Sequence, residues 1–159
     1  MRKRSKYKPR PVLDTLAFVL GRFTPMTPEQ QLITKLQQHD ALHALTHGTA
    51  SRSEWEAVTE ALNISAVLLQ HKFDGQYLDV LHAAMDAHDA CGARYLKGGS
   101  FGYSGAELRA VNEFMPVHEE LLANITNGDI EVALRAVAQN IRTGNFRTSA
   151  RRLVREGAV

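Results

Sequence analysis

Residues 104–125 read SGAELRAVNEFMPVHEELLANI, and the spacing of their apolar positions indicates the fold class. Positions three and four residues apart repeat along this stretch, as in the seam of a coiled coil: Leu108, Val111, Met115, His118, Leu122 and Ile125. Ser104 and Glu107 form the S-x-x-E pattern of a capping box, so a helix is predicted to begin here. Pro116 lies inside the run and predicts a kink or a break near Phe114.

Similar start signals occur twice nearer the N-terminus. Thr27-Pro28-Glu29-Gln30 predicts a capped helix that ends near His47, where Gly48 follows. One face of this helix is expected to hold Leu32, Leu36, His39, Leu42 and Leu45. Ser51-Arg52-Ser53-Glu54 predicts a second helix. Its wide apolar stripe indicates a central position and comprises Trp55, Val58, Leu62, Ile64, Ala66, Val67, Leu68 and Leu69.

Two further helices complete the pattern. A turn at Asp74-Gly75 precedes a third helix, which is expected to direct inward Tyr77, Leu81, Met85, His88 and Cys91. A turn at Asn127-Gly128-Asp129 precedes the last helix, whose apolar face holds Ile130, Leu134, Val137 and Ile141. Since no segment shows the sustained alternation of a strand, we expect an all-α fold of four to five helices in a bundle-like packing.

Charge divides the 159 residues into three parts, although the net charge of the whole chain is only +2. Residues 1–10 carry +6, residues 142–159 carry +4, and residues 11–141 carry −8. Both basic ends are expected to be flexible. The expected organisation is a basic N-terminal arm at 1–12, a helical bundle domain at 13–143 and a basic C-terminal segment at 144–159.

The basic ends are open to three interpretations. They could bind nucleic acid through its phosphates, dock onto an acidic surface such as the body of a neighbouring subunit, or be solvated tails. Under the first two, the binding residues are Arg2, Lys3, Arg4, Lys6, Lys8, Arg10, Arg147, Arg151, Arg152 and Arg155.

The glycine-rich stretch at 98–105, GGSFGYSG, is interpreted as a mobile loop between helices. Its two aromatic residues, Phe101 and Tyr103, are flanked by glycines. We therefore expect them to be exposed and to act as anchors for a partner or for a nucleic-acid base.

Histidine and cysteine patterns give weaker hypotheses. His39, His43 and His47 follow one helical face, and D-x-x-H occurs at Asp40–His43 and again at Asp79–His82. A metal-dependent hydrolase could use His39, His43 and His82 with the neighbouring aspartates, but such enzymes need further ligands on other helices. Cys91 follows His88 by one turn, yet a buried, unreactive thiol is the favoured interpretation. We expect no metal, no cofactor and no catalytic residue.

Composition excludes several classes of protein. One cysteine rules out an intramolecular disulfide framework and fits a reducing compartment. No apolar run approaches the ~18 residues of a membrane-spanning helix, so no membrane partner is expected. The basic N-terminus lacks the apolar stretch of a secretory signal. These features favour a cytoplasmic location.

Three stretches together resemble small helical proteins encoded by tailed phages and prophages of proteobacteria. They are KYKPRPVLDTLAFVLGRFTPM at 6–26, LHALTHGTASRSEWEAVTEALN at 42–63 and ELRAVNEFMPVHEELLANITNGDIEVAL at 107–134. The resemblance implies the cytoplasm of a bacterial host and no established activity, so it transfers no catalytic residue. Small accessory proteins in that setting often act by binding.

The leading hypothesis is a non-enzymatic, phage-encoded accessory protein that binds a host macromolecule stoichiometrically. Its partner would be a host protein or ribonucleoprotein, for example a defence or gene-expression complex that it inhibits. The alternative is a nucleic-acid-binding protein that uses its basic ends, and the metal-dependent hydrolase is the least favoured. The seam at 108–125, together with the acidic body and basic arms, also suggests a homodimer.

Overall fold

The computed structural model describes residues 24–145, and this part of the chain is built from helices. Five α-helices follow one another: α1 Pro28–His47, α2 Arg52–Lys72, α3 Leu78–Leu96, α4 Gly105–Ala123 and α5 Asn127–Thr143. Within residues 24–145 the extended pairings are two isolated bridges, Pro25 with Thr126 and Ala50 with Phe101. The predicted all-α fold is confirmed.

The two basic ends fall almost wholly outside this description. The arm at 1–12 and residues 146–159 of the C-terminal segment are not among the described residues, and neither are the ten lysines and arginines assigned to binding. The interpretations of the basic ends therefore stay predictions.

Local sequence signals explain where four of the five helices begin. Capping boxes form at Thr27, Ser51 and Ser104, as the sequence predicts, and a further one forms at Thr126. The box at Thr126 closes on Asp129, which the sequence analysis assigned to a turn. Each box satisfies backbone N–H groups that would otherwise lack a partner at the helix start.

Helix α4 continues through Pro116, so of the predicted kink or break near Phe114 the break does not occur. Proline lacks the N–H that would bond one turn back and costs about 3 kcal/mol inside a helix. Burial on both sides of the proline offsets this cost, since Phe114, Met115 and His118 all lie in the interior.

Helix α2 occupies the centre and packs against each of the other four helices, as its wide apolar stripe predicts. The larger of two buried clusters joins α1, α2, α3 and α4 around Leu45, Leu69 and Leu81. The smaller cluster forms where α5 meets α2 and the end of α4, and contains Val67, Leu68, Leu122, Ile125 and Ala133.

Several residues expected to face inward are exposed. Leu32 and Leu36 lie on the outer side of α1, because that helix buries the face that carries Gln38, Ala41, Leu42 and Leu45. Tyr77, Leu134 and Ile141 are also substantially exposed.

The seam at 108–125 is not an exposed dimer surface. Four of its members, Val111, Met115, His118 and Leu122, are buried within α4, and Ile125 is buried just after it. The homodimer hypothesis therefore loses the seam as its interface, because packing within one chain already uses these side chains.

Gly92 on α3 lies against the indole of Trp55, and we expect Gly92→Ala to destabilise the fold. A Cβ at this position would lie 2.8 Å from Trp55 Cζ2. Overpacking of this kind costs about 1–3 kcal/mol, against a gain of about 1 kcal/mol in helix propensity. Urea denaturation measures the net loss. Gly105→Ala is the control, because a Cβ there would make only an ordinary contact, 3.8 Å from Arg109 Nη1. A Gly92→Ala variant more stable than the parent protein would contradict the close packing.

Candidate functional site

The two aromatic residues of the glycine-rich loop, Phe101 and Tyr103, pack into the core, so the prediction that they are exposed is wrong. Phe101 is 2% exposed, and its ring stacks on Tyr95 at 3.8 Å and on Trp55 at 5.8 Å between centroids. The Tyr103 hydroxyl lies 2.6 Å from His88 Nδ1, and the Tyr103 backbone N–H donates to the Leu45 carbonyl.

Glycine at position 102 allows this inward path. A Cβ there would lie 3.1 Å from Gly48 Cα, so the loop backbone approaches the end of α1 closely. The Arg94 guanidinium also donates to the Gly102 carbonyl at 2.8 Å and to Glu107 at 2.6 Å. These contacts attach the loop to α1, α3 and α4.

His88 and Cys91 do not form an activated thiol pair. The Thr59 hydroxyl lies 2.8 Å from His88 Nε2 and donates its own proton to the Trp55 carbonyl, which lies 3.1 Å from Nε2. Both oxygens therefore act as acceptors for Nε2, which carries the proton, while Nδ1 accepts from the Tyr103 hydroxyl. Burial lowers the pKa of His88 to about 4, and burial also raises the pKa of the Cys91 thiol. Both nitrogens of His88 are occupied, so Cys91 is best explained as a buried apolar side chain.

The histidines of the hydrolase hypothesis do not assemble. His39 Nε2 lies 3.1 Å from Glu119 on α4, which also pairs with Lys35 at 3.0 Å. His43 and His82 are exposed. Among residues 24–145, no group of three or more histidine, cysteine, aspartate or glutamate side chains could hold a metal ion. The structure therefore gives this hypothesis no support.

A pocket between α1 and α5 is the candidate site, and we call it the α1–α5 pocket. It has a volume of about 270 Å³. Four helices and Met26 line it: Thr34, Gln37 and Gln38 from α1; Ala57, Glu60, Ala61 and Ile64 from α2; His118 and Leu122 from α4; Ile130 and Leu134 from α5. Such a pocket is far larger than the space of one water molecule, about 30 Å³.

Two polar atoms on its lining residues lack a hydrogen-bond partner, namely Gln38 Oε1 and His118 Nε2. Both side chains are deeply buried, with Gln38 9% and His118 1% exposed. A buried polar group without a partner costs about 1–3 kcal/mol. Native proteins contain few such groups, and both of these belong to residues that line one pocket.

The proton on His118 can be placed from its neighbours. The Ser65 hydroxyl has a single proton and donates it to the Ala61 carbonyl at 2.8 Å, so it must accept from His118 Nδ1 at 2.7 Å. Burial lowers the pKa of His118 to about 4, so the ring is neutral at pH 7. Its Nε2 is therefore an acceptor, on the part of the ring that is turned away from Ser65.

The rim of the pocket carries exposed aliphatic side chains beside two exposed polar residues, Gln37 and Glu60. Ile33 is 50% exposed and lies one turn before Gln37, on the same side of α1. Leu134 on α5 is 41% exposed and lines the pocket itself. Exposed aliphatic side chains on both walls extend the apolar surface beyond the pocket.

Sequence reasoning placed His118 in a helical seam but did not find this site. The pocket exists because α1 and α5 pack on α2 without closing over it, and no local pattern encodes that gap. A glutamine such as Gln38, in a stretch rich in polar residues, gives no signal of burial either.

Comparisons with protein-family models, curated proteins and solved structures gave no match to the chain. No helix within residues 24–145 combines the length and apolar character needed to cross a membrane.

Proposed function

We propose that the protein is a stoichiometric binding protein whose partner is a protein segment seated over the α1–α5 pocket. The two exposed aliphatic side chains at the rim, Ile33 and Leu134, carry this proposal. A small molecule inside the pocket would leave much of Ile33 and Leu134 in water, whereas a protein segment lying between α1 and α5 would cover both.

The shape of the surface favours a helical partner segment. Two helices form the walls and α2 forms much of the floor, an arrangement that matches the recognition of an amphipathic helix in an apolar groove. Such a segment would present apolar residues at positions i, i+3 or i+4, and i+7. One of them would enter the pocket while the others contact the rim.

The resemblance to phage-encoded proteins suggests the setting. The partner would then be a host protein of the bacterial cell, for example a component of a defence or gene-expression complex. Nucleic-acid binding by the basic ends depends on residues outside 24–145 and stays a prediction without support from the described contacts.

Charged substitutions on the rim test this function. Ile33→Glu and Leu134→Glu are each expected to abolish capture of a host protein from a proteobacterial lysate, because a carboxylate would be buried at the interface. Pull-down with quantitative mass spectrometry measures the loss. Both side chains are exposed, so the variants should keep the circular dichroism spectrum and melting temperature of the parent protein.

Val132→Glu is the matched control. Val132 is as exposed as Ile33, and because it lies two residues from both Ile130 and Leu134 it is on the side of α5 opposite the pocket. The proposal expects a captured protein that survives Val132→Glu and disappears with both rim variants. A captured protein that tolerates the rim variants, or that is lost equally with Val132→Glu, would exclude the pocket as the binding surface.

A further inference from the structure

We infer that the α1–α5 pocket receives an aromatic side chain that carries a neutral hydrogen-bond donor, tryptophan or tyrosine, with its N–H or O–H directed to His118 Nε2. This inference rests on the proposed function and specifies the anchor residue of the partner segment. It follows from the polarity, charge and size of the pocket.

Polarity determines the kind of group. The two unpaired atoms, Gln38 Oε1 and His118 Nε2, are both acceptors, and Glu60 adds a carboxylate to the lining. A ligand group that offers only acceptors would leave both buried atoms unmatched. Electrostatic complementarity therefore requires a donor on the ligand.

Burial excludes a charged donor at this depth. The desolvation that lowers the pKa of His118 acts equally against an ammonium or guanidinium group placed beside it. Glu60 is exposed at the mouth and does not compensate a cation bound next to Nε2. A neutral N–H or O–H meets the acceptor without that cost.

Size and lining favour an aromatic body behind the donor. The walls are largely aliphatic, with Ile64, Leu122 and Ile130 around a volume of about 270 Å³. Tryptophan and tyrosine combine a large apolar ring with one polar atom at its edge, which is the combination that this pocket requires. Both residues are also enriched among the anchors of protein interfaces.

A matched pair of probes tests the donor. Indole and 1-methylindole have similar rings, but only indole carries an N–H. We expect indole to bind the full-length protein at least about tenfold more tightly, because 1-methylindole leaves Nε2 unpaired. Long-range ¹H–¹⁵N spectra of the histidine rings should show the Nε2 signal of His118 moving with indole and staying in place with 1-methylindole.

A pair of variants locates the probe. Ala57→Leu places a larger side chain in the α1–α5 pocket and should abolish indole binding. Ala66→Leu is the control, because Ala66 is also a partly buried alanine on α2 but lines a different cavity. Retained binding in Ala66→Leu and loss in Ala57→Leu support the site.

The outcomes separate this inference from the proposed function. Equal affinity for the two probes, or no binding of either, overturns the donor-bearing anchor, whatever the rim variants show in lysate. Preference for indole without any rim-dependent protein capture supports the chemistry of the pocket and overturns the protein-binding function.

Discussion

Lowering the pH from 7 to 5 is expected to remove about 4 kcal/mol from the free energy of unfolding, divided about equally between His88 and His118. Burial lowers the pKa of each ring to about 4, whereas an unfolded histidine titrates near 6.5. Between pH 6.5 and pH 4 the two histidines bind protons in the unfolded chain but not in the folded chain, so the free energy of unfolding falls as the pH drops. The charge of Glu119 beside His118 opposes the shift but does not reverse it.

Urea denaturation at the two pH values measures the effect. The carboxylates do not obscure it: hydrogen bonds at Glu54 and Glu119 hold their pKa values below the ordinary value of 4.5. Their stabilising contribution is lost mainly at still lower pH. His118→Gln is expected to halve the difference between pH 7 and pH 5. Equal stability at both pH values in the parent protein would contradict the burial of the two rings.

Phe101→Ala is expected to cost about 3–5 kcal/mol of unfolding free energy, the range for a buried phenylalanine cut back to alanine. The ring is stacked with Trp55 and Tyr95 and lies in the larger buried cluster. A loss this large is comparable with the whole stability of many domains.

The control is Leu36→Ala, an exposed aliphatic residue on α1 whose truncation should change stability by less than about 0.5 kcal/mol. Thermal and urea denaturation of both variants give the comparison. A Phe101→Ala variant as stable as Leu36→Ala would support the mobile loop with exposed aromatics that its glycines suggest, and would contradict the packing seen here.

The fold was predictable because its signals are local. A capping box needs only four consecutive residues, as at Ser51–Glu54, and a helical apolar stripe needs only a few turns. The central position of α2 followed from the width of its stripe. Such short-range patterns determine where helices begin, end and bury a face.

The candidate site was not predictable because its determinants are long-range. Gly102 considered alone suggests mobility, but its backbone lies close to Gly48 at the end of α1, and the neighbouring Phe101 and Tyr103 pack into the core. Which face of α1 is buried depends on where α2 and α4 lie. The leucines at 32 and 36 predicted a buried face that is in fact exposed. His118 was recognised as a core position, yet nothing near it in sequence shows that Nε2 lacks a partner.

The walls of the α1–α5 pocket differ in how firmly they are held. Helix α5 buries one residue completely, Ala133, and packs chiefly on α2, whereas α1 contacts both α2 and α4. Segments with few buried contacts have the lowest free energies of local opening. The width of the pocket therefore depends on the position of α5, which has the weakest packing among the five described helices. A partner bound there would be selected by the firmly packed wall, which carries His118 and Gln38. Helix α5, the weakly packed wall, would shift to fit partners of different size.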